Sequence, residues 1–244
     1  MNDPLINKVL HPPRVTLGRW LLDLAGLFMP PLCSACDGGL MPFERALCLG
    51  CLRDLPLARF TVMPDNPVAK RFWGKVPLQD ASALLHFVPG GRVQHILHRL
   101  KYKGDRRVGL LLGRLMAEDI LASGRFCTVD AILPVPLHPR KERRRGYNQS
   151  AVLAQGMREV WHVPVWTDVL VREVRTATQT RRGRLERWRN VRTAFATPRP
   201  DVLRDRHVLL VDDVVTTGAT LEACAAVLAE VPGTRVSVYT AAYA

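Results

Sequence analysis

The run from His207 to Leu221, HVLLVDDVVTTGATL, restricts what this chain can fold into more than any other stretch. Val208, Leu209, Leu210 and Val211 are four consecutive apolar residues, the pattern of a strand covered on both faces in a parallel sheet. Asp212 and Asp213 follow at once, then the small, hydroxyl-rich turn Thr216-Thr217-Gly218-Ala219-Thr220. The Ala/Leu/Val-rich segment from Leu221 to Val231 reads as a helix that stops before Pro232-Gly233. Strand, acidic pair, glycine-containing turn and helix put carboxylates and a helix N-terminus at the carboxyl edge of a sheet. Open α/β sheets bind their ligands at that edge.

The chemistry suits a phosphate monoester attached to a diol. N–H groups around Thr217 to Thr220 can point at an anion, and the helix dipole favours negative charge there. Gly218 lets the backbone come close or take a positive φ. The adjacent carboxylates can accept hydrogen bonds from sugar hydroxyls or hold a hydrated Mg²⁺. A solvated acidic pair on an ordinary strand–turn–helix is the plainer alternative. An NTPase also ends a strand in acids, but no G-x-x-x-x-G-K-[ST] phosphate loop occurs in the sequence. The stretch resembles the PRPP-binding motif of the type I phosphoribosyltransferases. That resemblance implies ribose hydroxyls on Asp212 and Asp213, and a 5′-phosphate on Thr216, Thr217, Gly218, Ala219 and Thr220.

At 244 residues and 48% hydrophobic, the chain can build one full α/β domain and a small appendage. Its formal net charge of +13 favours polyanionic partners: phosphorylated metabolites, nucleotides or nucleic acid. The charge is concentrated. Between His138 and Arg192 there are fourteen Lys/Arg against five Asp/Glu, a local net of +9. The most apolar N-terminal stretch, Trp20 to Leu32, contains Asp23 and Pro30-Pro31 and falls short of the ~20 residues a membrane span needs. As a signal peptide it lacks an unbroken apolar run and a cleavage site. The expectation is a cytoplasmic protein whose six cysteines are reduced or metal-bound.

Near the N-terminus, Leu17 to Met29 is amphipathic, with Trp20, Leu21, Leu24, Leu27 and Phe28 near helical spacing; it is expected to pack on the next module. A membrane-surface helix is the alternative. Cys33-Ser34-Ala35-Cys36 and Cys48-Leu49-Gly50-Cys51 then form two C-x-x-C knuckles with eleven residues between them. Four thiolates in so short a segment can close a tetrahedral structural Zn²⁺ site, with no open position for catalysis. The alternatives are a redox dithiol or buried free cysteines. Residues 52–80, with Pro56, Pro64, Pro67 and Pro77, read as a loop-rich linker.

Beyond it, Ala83 to Val88 has strand character, and Val93, Ile96, Leu97 and Leu100 make a helical stripe ending at Lys101-Tyr102-Lys103-Gly104. His95 and His98, three apart on that helix, read as solvated or packed histidines rather than metal ligands. A further helix spans about Arg107 to Ala122, and Val129 to Val135 is a second buried strand. That strand runs into Pro136-Leu137-His138-Pro139 and the cluster Arg143-Arg144-Arg145, whose guanidinium forks suit phosphate oxygens. A solvated basic face is the alternative. Asn148 or Ser150 is placed to cap a helix through about Glu159. Val169 to Arg172 reads as a strand and Arg235 to Ala241 as a last strand beside the motif strand.

The tandem knuckles, Leu100-Lys101-Tyr102-Lys103-Gly104, Pro134-Val135-Pro136-Leu137-His138-Pro139, Arg145-Gly146-Tyr147-Asn148-Gln149 and Val211-Asp212-Asp213-Val214-Val215-Thr216-Thr217-Gly218-Ala219-Thr220 together resemble the ComF family. The likeness runs from Pro30 onward. Its members are PRPP-binding, phosphoribosyltransferase-like proteins associated with DNA uptake and competence in bacteria. The family segment like Thr178-Gln179, Arg187, Asn190-Val191 and Ala194-Phe195 is also present, with Arg182 where many members carry Leu. The resemblance implies an open, mainly parallel α/β sheet of type I phosphoribosyltransferase kind (residues 81–244). It is preceded by a helix, a zinc module and a linker (residues 1–80). It further implies Mg²⁺–PRPP as ligand, with pyrophosphate near Pro136, Leu137, His138, Arg144 and Arg145, and transfer to an acceptor that no side chain here announces. The rival class is a non-catalytic protein that handles single-stranded DNA. The Arg-rich stretch from Glu173 to Asn190, with Trp188, would serve either as a lid or as a nucleic-acid surface.

Overall fold

The structure, a computed structural model, describes residues 31–173 and 194–244. Along them run α1 (Leu49–Arg53), a 3-10 turn (Phe60–Val62), α2 (Pro67–Lys70), β1 (Ala81–His86), α3 (Arg92–Tyr102) and α4 (Arg106–Ser123). Next come β2 (Ala131–Pro134), α5 (Pro139–Arg145), α6 (Gln149–Trp161), β3 (Val171–Arg172) and β4 (Phe195–Ala196). A second 3-10 turn (Pro200–Leu203), β5 (His207–Val215), α7 (Ala219–Ala229) and β6 (Arg235–Tyr243) complete the order.

Four of the strands form a parallel sheet in the order β1-β6-β5-β2. β5 lies between β6 and β2, with Leu210 opposite Val238 on one side and Leu133 on the other. Val208 to Val211 are all fully buried, as a continuous apolar run with both faces covered requires. Leu209 and Val211 pack into a layer with α3, α4 and α6, and Val208 and Leu210 into the opposite layer with α7. The expected stripe on α3, Val93, Ile96, Leu97 and Leu100, is buried. The final strand does lie beside the motif strand, and β3 pairs only with β4, antiparallel, outside the main sheet.

α4 and α6 cross at close range because glycine faces backbone at both contacts. A side chain at Gly113 would collide with the Leu153 carbonyl oxygen, and one at Gly156 with that of Leu110. Close packing here holds the middle of α6 against α4.

Residues 52–80 are packed rather than free. Phe60, Val68, Phe72 and Val76 are buried in the layer that holds α7. Asn66, fully buried, caps α2 through Oδ1 and donates from Nδ2 to the carbonyls of Phe60, Met63 and Ala81. Those carbonyls explain how a proline-rich stretch without regular ladders can be buried: one amide side chain supplies the missing donors. The knuckle segment likewise joins the other layer, where Cys33, Ala35, Leu40, Ala46, Leu47 and Cys51 share a core with α3 and α4. No helix among the described residues is long and apolar enough to cross a membrane. The amphipathic segment Leu17 to Met29 and the Arg-rich stretch containing Arg181, Arg182, Arg184 and Trp188 lie outside the described residues.

Candidate functional site

The acidic pair sits near the carboxyl end of β5, beside the centre of the sheet. Side chains alternate along a strand, so Asp212 and Asp213 leave it on opposite faces. Asp212 Oδ1 accepts from Ser150 Oγ at 2.9 Å and from the Asp213 N–H at 2.8 Å. Asp213 is 4% exposed; its Oδ1 lies 3.0 Å from Lys101 Nζ, and its Oδ2 is buried without a hydrogen-bond partner among the described residues. Burial first, and the neighbouring Asp213 charge second, push the Asp212 carboxyl up to about 7. An orphaned buried carboxylate oxygen costs about 1–3 kcal/mol or more unless a donor arrives. Carboxylate oxygens so placed can accept hydroxyls or a cation.

The turn after β5 bears the features expected of an anion cradle. Gly218 has φ 81°, a left-handed conformation, and precedes α7 as its N-cap. Phe72, from the segment before β1, packs beneath that glycine. Thr216, Thr217, Ala219 and Thr220 are exposed, and Thr217 Oγ1 accepts weakly from the Ala219 N–H at 3.4 Å. The first-turn N–H groups of α7 have no intrahelical acceptors and face the direction favoured for an anion.

Pro136, Leu137 and His138 form the half-buried exit of β2. His138 Nδ1 accepts from the Arg140 N–H at 3.2 Å and so caps α5, whose first position is Pro139. Sequence periodicity gave no sign of α5, since its seven residues have no buried face. Of its basic residues, Arg140, Lys141, Arg143 and Arg144 are exposed. Arg145 turns inward, donating to Gln149 Oε1 at 2.7 Å with its guanidinium 5.2 Å from the Tyr102 ring centre. Asn148 is the N-cap of α6 and donates to the Val135 carbonyl at 2.9 Å, joining this helix to the β2 exit. Ser150 is the hydroxyl that holds Asp212.

The ligating atoms of Cys33, Cys36, Cys48 and Cys51 all lie within 4.8 Å of one another. Four sulfurs at a Zn–S distance of about 2.3 Å would stand ~3.8 Å apart in a tetrahedron; Cys36 and Cys48 are at 3.9 Å. Backbone N–H groups point at two of them, Cys48 N to Cys33 Sγ at 3.3 Å and Cys51 N to Cys48 Sγ at 3.5 Å, as anionic sulfur requires. Burial works against ionising Cys33, but N–H donation from Cys48, Ala35 and Cys36 brings it down to about 7. The donor set fits a zinc ion. His95 is engaged elsewhere, with Nε2 3.3 Å from Asp37 Oδ2.

The structure thus joins the acidic pair, the threonine turn and, through Asn148 and Ser150, the β2 exit. Arg144 is exposed, and Arg145 is occupied by Gln149 and Tyr102. Two functional residues escaped local reading. Lys101 reads in the sequence as the end of a helical stripe and part of a family motif, and Ser150 as a cap. Their partners are distant in sequence, so no spacing rule reveals them.

A family model described as a phosphoribosyl transferase domain matches residues 150–244. The DNA utilization protein YhgH of Salmonella typhimurium is 30% identical over 218 residues, covering 83% of this chain and 92% of the relative. Competence protein F of Haemophilus influenzae is 27% identical over 198 residues, covering 78% and 86%. Among solved structures, a glutamine PRPP amidotransferase from B. subtilis, complexed with ADP and GMP, has 21% identity and a TM-score of 0.40. That match covers 55% of this chain and 27% of the other. With a parallel sheet carrying the acidic pair, a cysteine cluster ahead of it and likeness along most of both lengths, the chain belongs to the ComF family of phosphoribosyltransferase-like proteins, which includes YhgH and Competence protein F.

Proposed function

We propose that this protein binds Mg²⁺–PRPP and transfers its phosphoribosyl group to a nucleophilic acceptor. The observation that carries the reading is the buried Oδ2 of Asp213, without a partner among the described residues, beside a second carboxylate and just before an exposed threonine loop. The ribose diol would donate to Asp212 and Asp213, and the 5′-phosphate would accept from Thr216, Thr217, Thr220 and the α7 N-terminus. The pyrophosphate would lie along Pro136, Leu137 and His138, with Arg144 in reach from solvent. Carboxylates are oxygen donors of the kind Mg²⁺ takes, and Asp213 has one to spare. Bound there through water, Mg²⁺ would offset the charge of the leaving pyrophosphate.

In the transfer, the C1′–O bond breaks and its electron pair leaves with pyrophosphate. Positive charge then develops at C1′, and the Asp212–Asp213 carboxylates stabilise it across a short, poorly solvated distance. A lone pair of the acceptor forms the new bond to C1′, and the acceptor gives up a proton. Solvent or the released pyrophosphate takes it. The chemistry calls for a compartment that supplies PRPP and keeps thiols reduced, which is the cytoplasm.

Exposed Arg140, Lys141, Arg143 and Arg144, on a face with a single acid, Glu142, favour a second partner, single-stranded DNA. The names of the relatives accord with it.

The test is thermal unfolding with Mg²⁺ and PRPP, because a ligand bound only by the native state stabilises it. At a hundredfold excess over Kd the gain is about 2.7 kcal/mol. Asp212→Asn combined with Asp213→Asn should abolish it and stop pyrophosphate release. A full shift in the double variant would place the ligand elsewhere.

A further inference from the structure

Lys101 reaches Asp213 from the last turn of α3, and the five residues from Lys101 to Asp105 decide where its ammonium falls. That turn closes on Gly104 at φ 70° and on the Asp105 N–H donating to the Arg99 carbonyl at 3.5 Å. It has little hydrophobic content of its own, since Tyr102 and Lys103 are exposed. Something outside it must hold it.

The fastening comes through Asp105, the N-cap of α4, whose side chain is 7% exposed. Oδ2 accepts from Ser34 Oγ at 2.6 Å, and the carboxylate also takes Arg107 Nε on Oδ1 at 3.1 Å and Arg107 Nη2 on Oδ2 at 3.3 Å. Ser34 is fully buried and is the residue after Cys33 in the first knuckle; its N–H donates to the Ala46 carbonyl at 2.8 Å. Arg99, 3.9 Å from Asp105, pairs in turn with Asp37, just past Cys36. Two residues of the first knuckle therefore grip the carboxylate and the arginine that frame the Lys101 turn. A metal that closes the four cysteines would set the place of Ser34.

We propose that the cysteine knuckle is a brace for Lys101, with Ser34 and Asp105 as the positioning residues that keep its ammonium against Asp213. The consequence for ligand rests on the PRPP reading above, but the geometry does not. Because the pair forms across the sheet edge, the knuckle acts on the acidic site while lying outside it. Lys101 supplies the counter-charge that lets Asp213 stay buried, and releases it when hydroxyls or a cation arrive.

The experiment has two arms, each on full-length, zinc-replete protein. Trace acetylation with acetic anhydride, read by peptide mass spectrometry, compares Lys101 with exposed Lys103 as internal reference. Lys101 should react more slowly in the parent, and Ser34→Ala should raise its relative rate about tenfold with zinc content unchanged, the low end of the scale for losing a hydrogen bond to a charged group. Asp105→Asn, where folded, should do the same. In the second arm, Ser34→Ala should weaken Mg²⁺–PRPP binding in the parent and have no effect in a Lys101→Met background. Unchanged Lys101 labelling in both variants overturns the brace. So does a Ser34→Ala loss of affinity that persists in Lys101→Met. If labelling responds but PRPP does not bind even the parent, the brace stands and the PRPP reading fails.

Discussion

Replacing Asp212 with Asn should stabilise the ligand-free protein, and by an amount that depends on pH. Asp212 titrates at about 7 in the fold against an ordinary 3.8, chiefly through burial and secondly through the charge on Asp213. A folded-state value above the unfolded one means that the native protein binds the extra proton between those two points. Stability is then full below about 4 and falls as pH rises towards 7. Roughly three units at 1.36 kcal/mol each give about 4 kcal/mol. Asp212 as a residue keeps partial solvent contact, so screening reduces this to about 2 kcal/mol. Asparagine keeps the oxygen that accepts from Ser150 and from the Asp213 N–H, so the local bonds survive. Urea denaturation of parent and Asp212→Asn at about pH 8 and about pH 5.5 is the assay. The variant should be more stable by about 2 kcal/mol at the higher pH, with about half of that gap closing at the lower. Acid loss of metal from the cysteines affects both proteins and cancels in the difference. A gap that does not change with pH, or a variant less stable at both, refutes the electrostatic account. The wider point is that the site stores strain for its ligand: the carboxylates that destabilise the empty fold are those that would receive hydroxyls or Mg²⁺.

Two further outcomes test the frame around the site. Cys33→Ser should lower bound zinc from one ion per chain and reduce the melting temperature with it, because the knuckle core is shared with α3 and α4; parent protein purified in reductant with no zinc by metal analysis would end the zinc assignment. Gly113→Ala forces α4 and α6 apart at the Leu153 carbonyl and should cost about 3 kcal/mol, read by circular dichroism melting; a loss below about 1 kcal/mol would mean the crossing has room to relax.

What the sequence determined by itself lies where chemistry and structure are contiguous in the chain. The fully apolar run before Asp212 could only be a doubly covered strand, and the small residues from Thr216 to Thr220 could only be a turn into a helix. Within that span, strand, carboxylates and phosphate cradle are local, so their order suffices. The cysteine knuckles were legible for the same reason, since two C-x-x-C pairs define a ligand set without knowledge of the fold. The α3 stripe and β6 followed from periodicity and from length. The site's supporting contacts did not. Ser150 and Asp212 are 62 positions apart, and Ser34 and Asp105 are 71 apart. Lys101 meets Asp213 across a longer span still. Such polar pairs leave no periodic trace, because one serine or lysine is as soluble on a surface as it is useful in a cleft. The stretch from 52 to 80 misled through its prolines: they mark turns, but Asn66 satisfies the carbonyls those turns leave open and lets Phe60, Val68 and Phe72 be buried. Local order marked the motif residues; tertiary packing chose which distant side chains hold them in place, because only the closed sheet brings them within hydrogen-bond range.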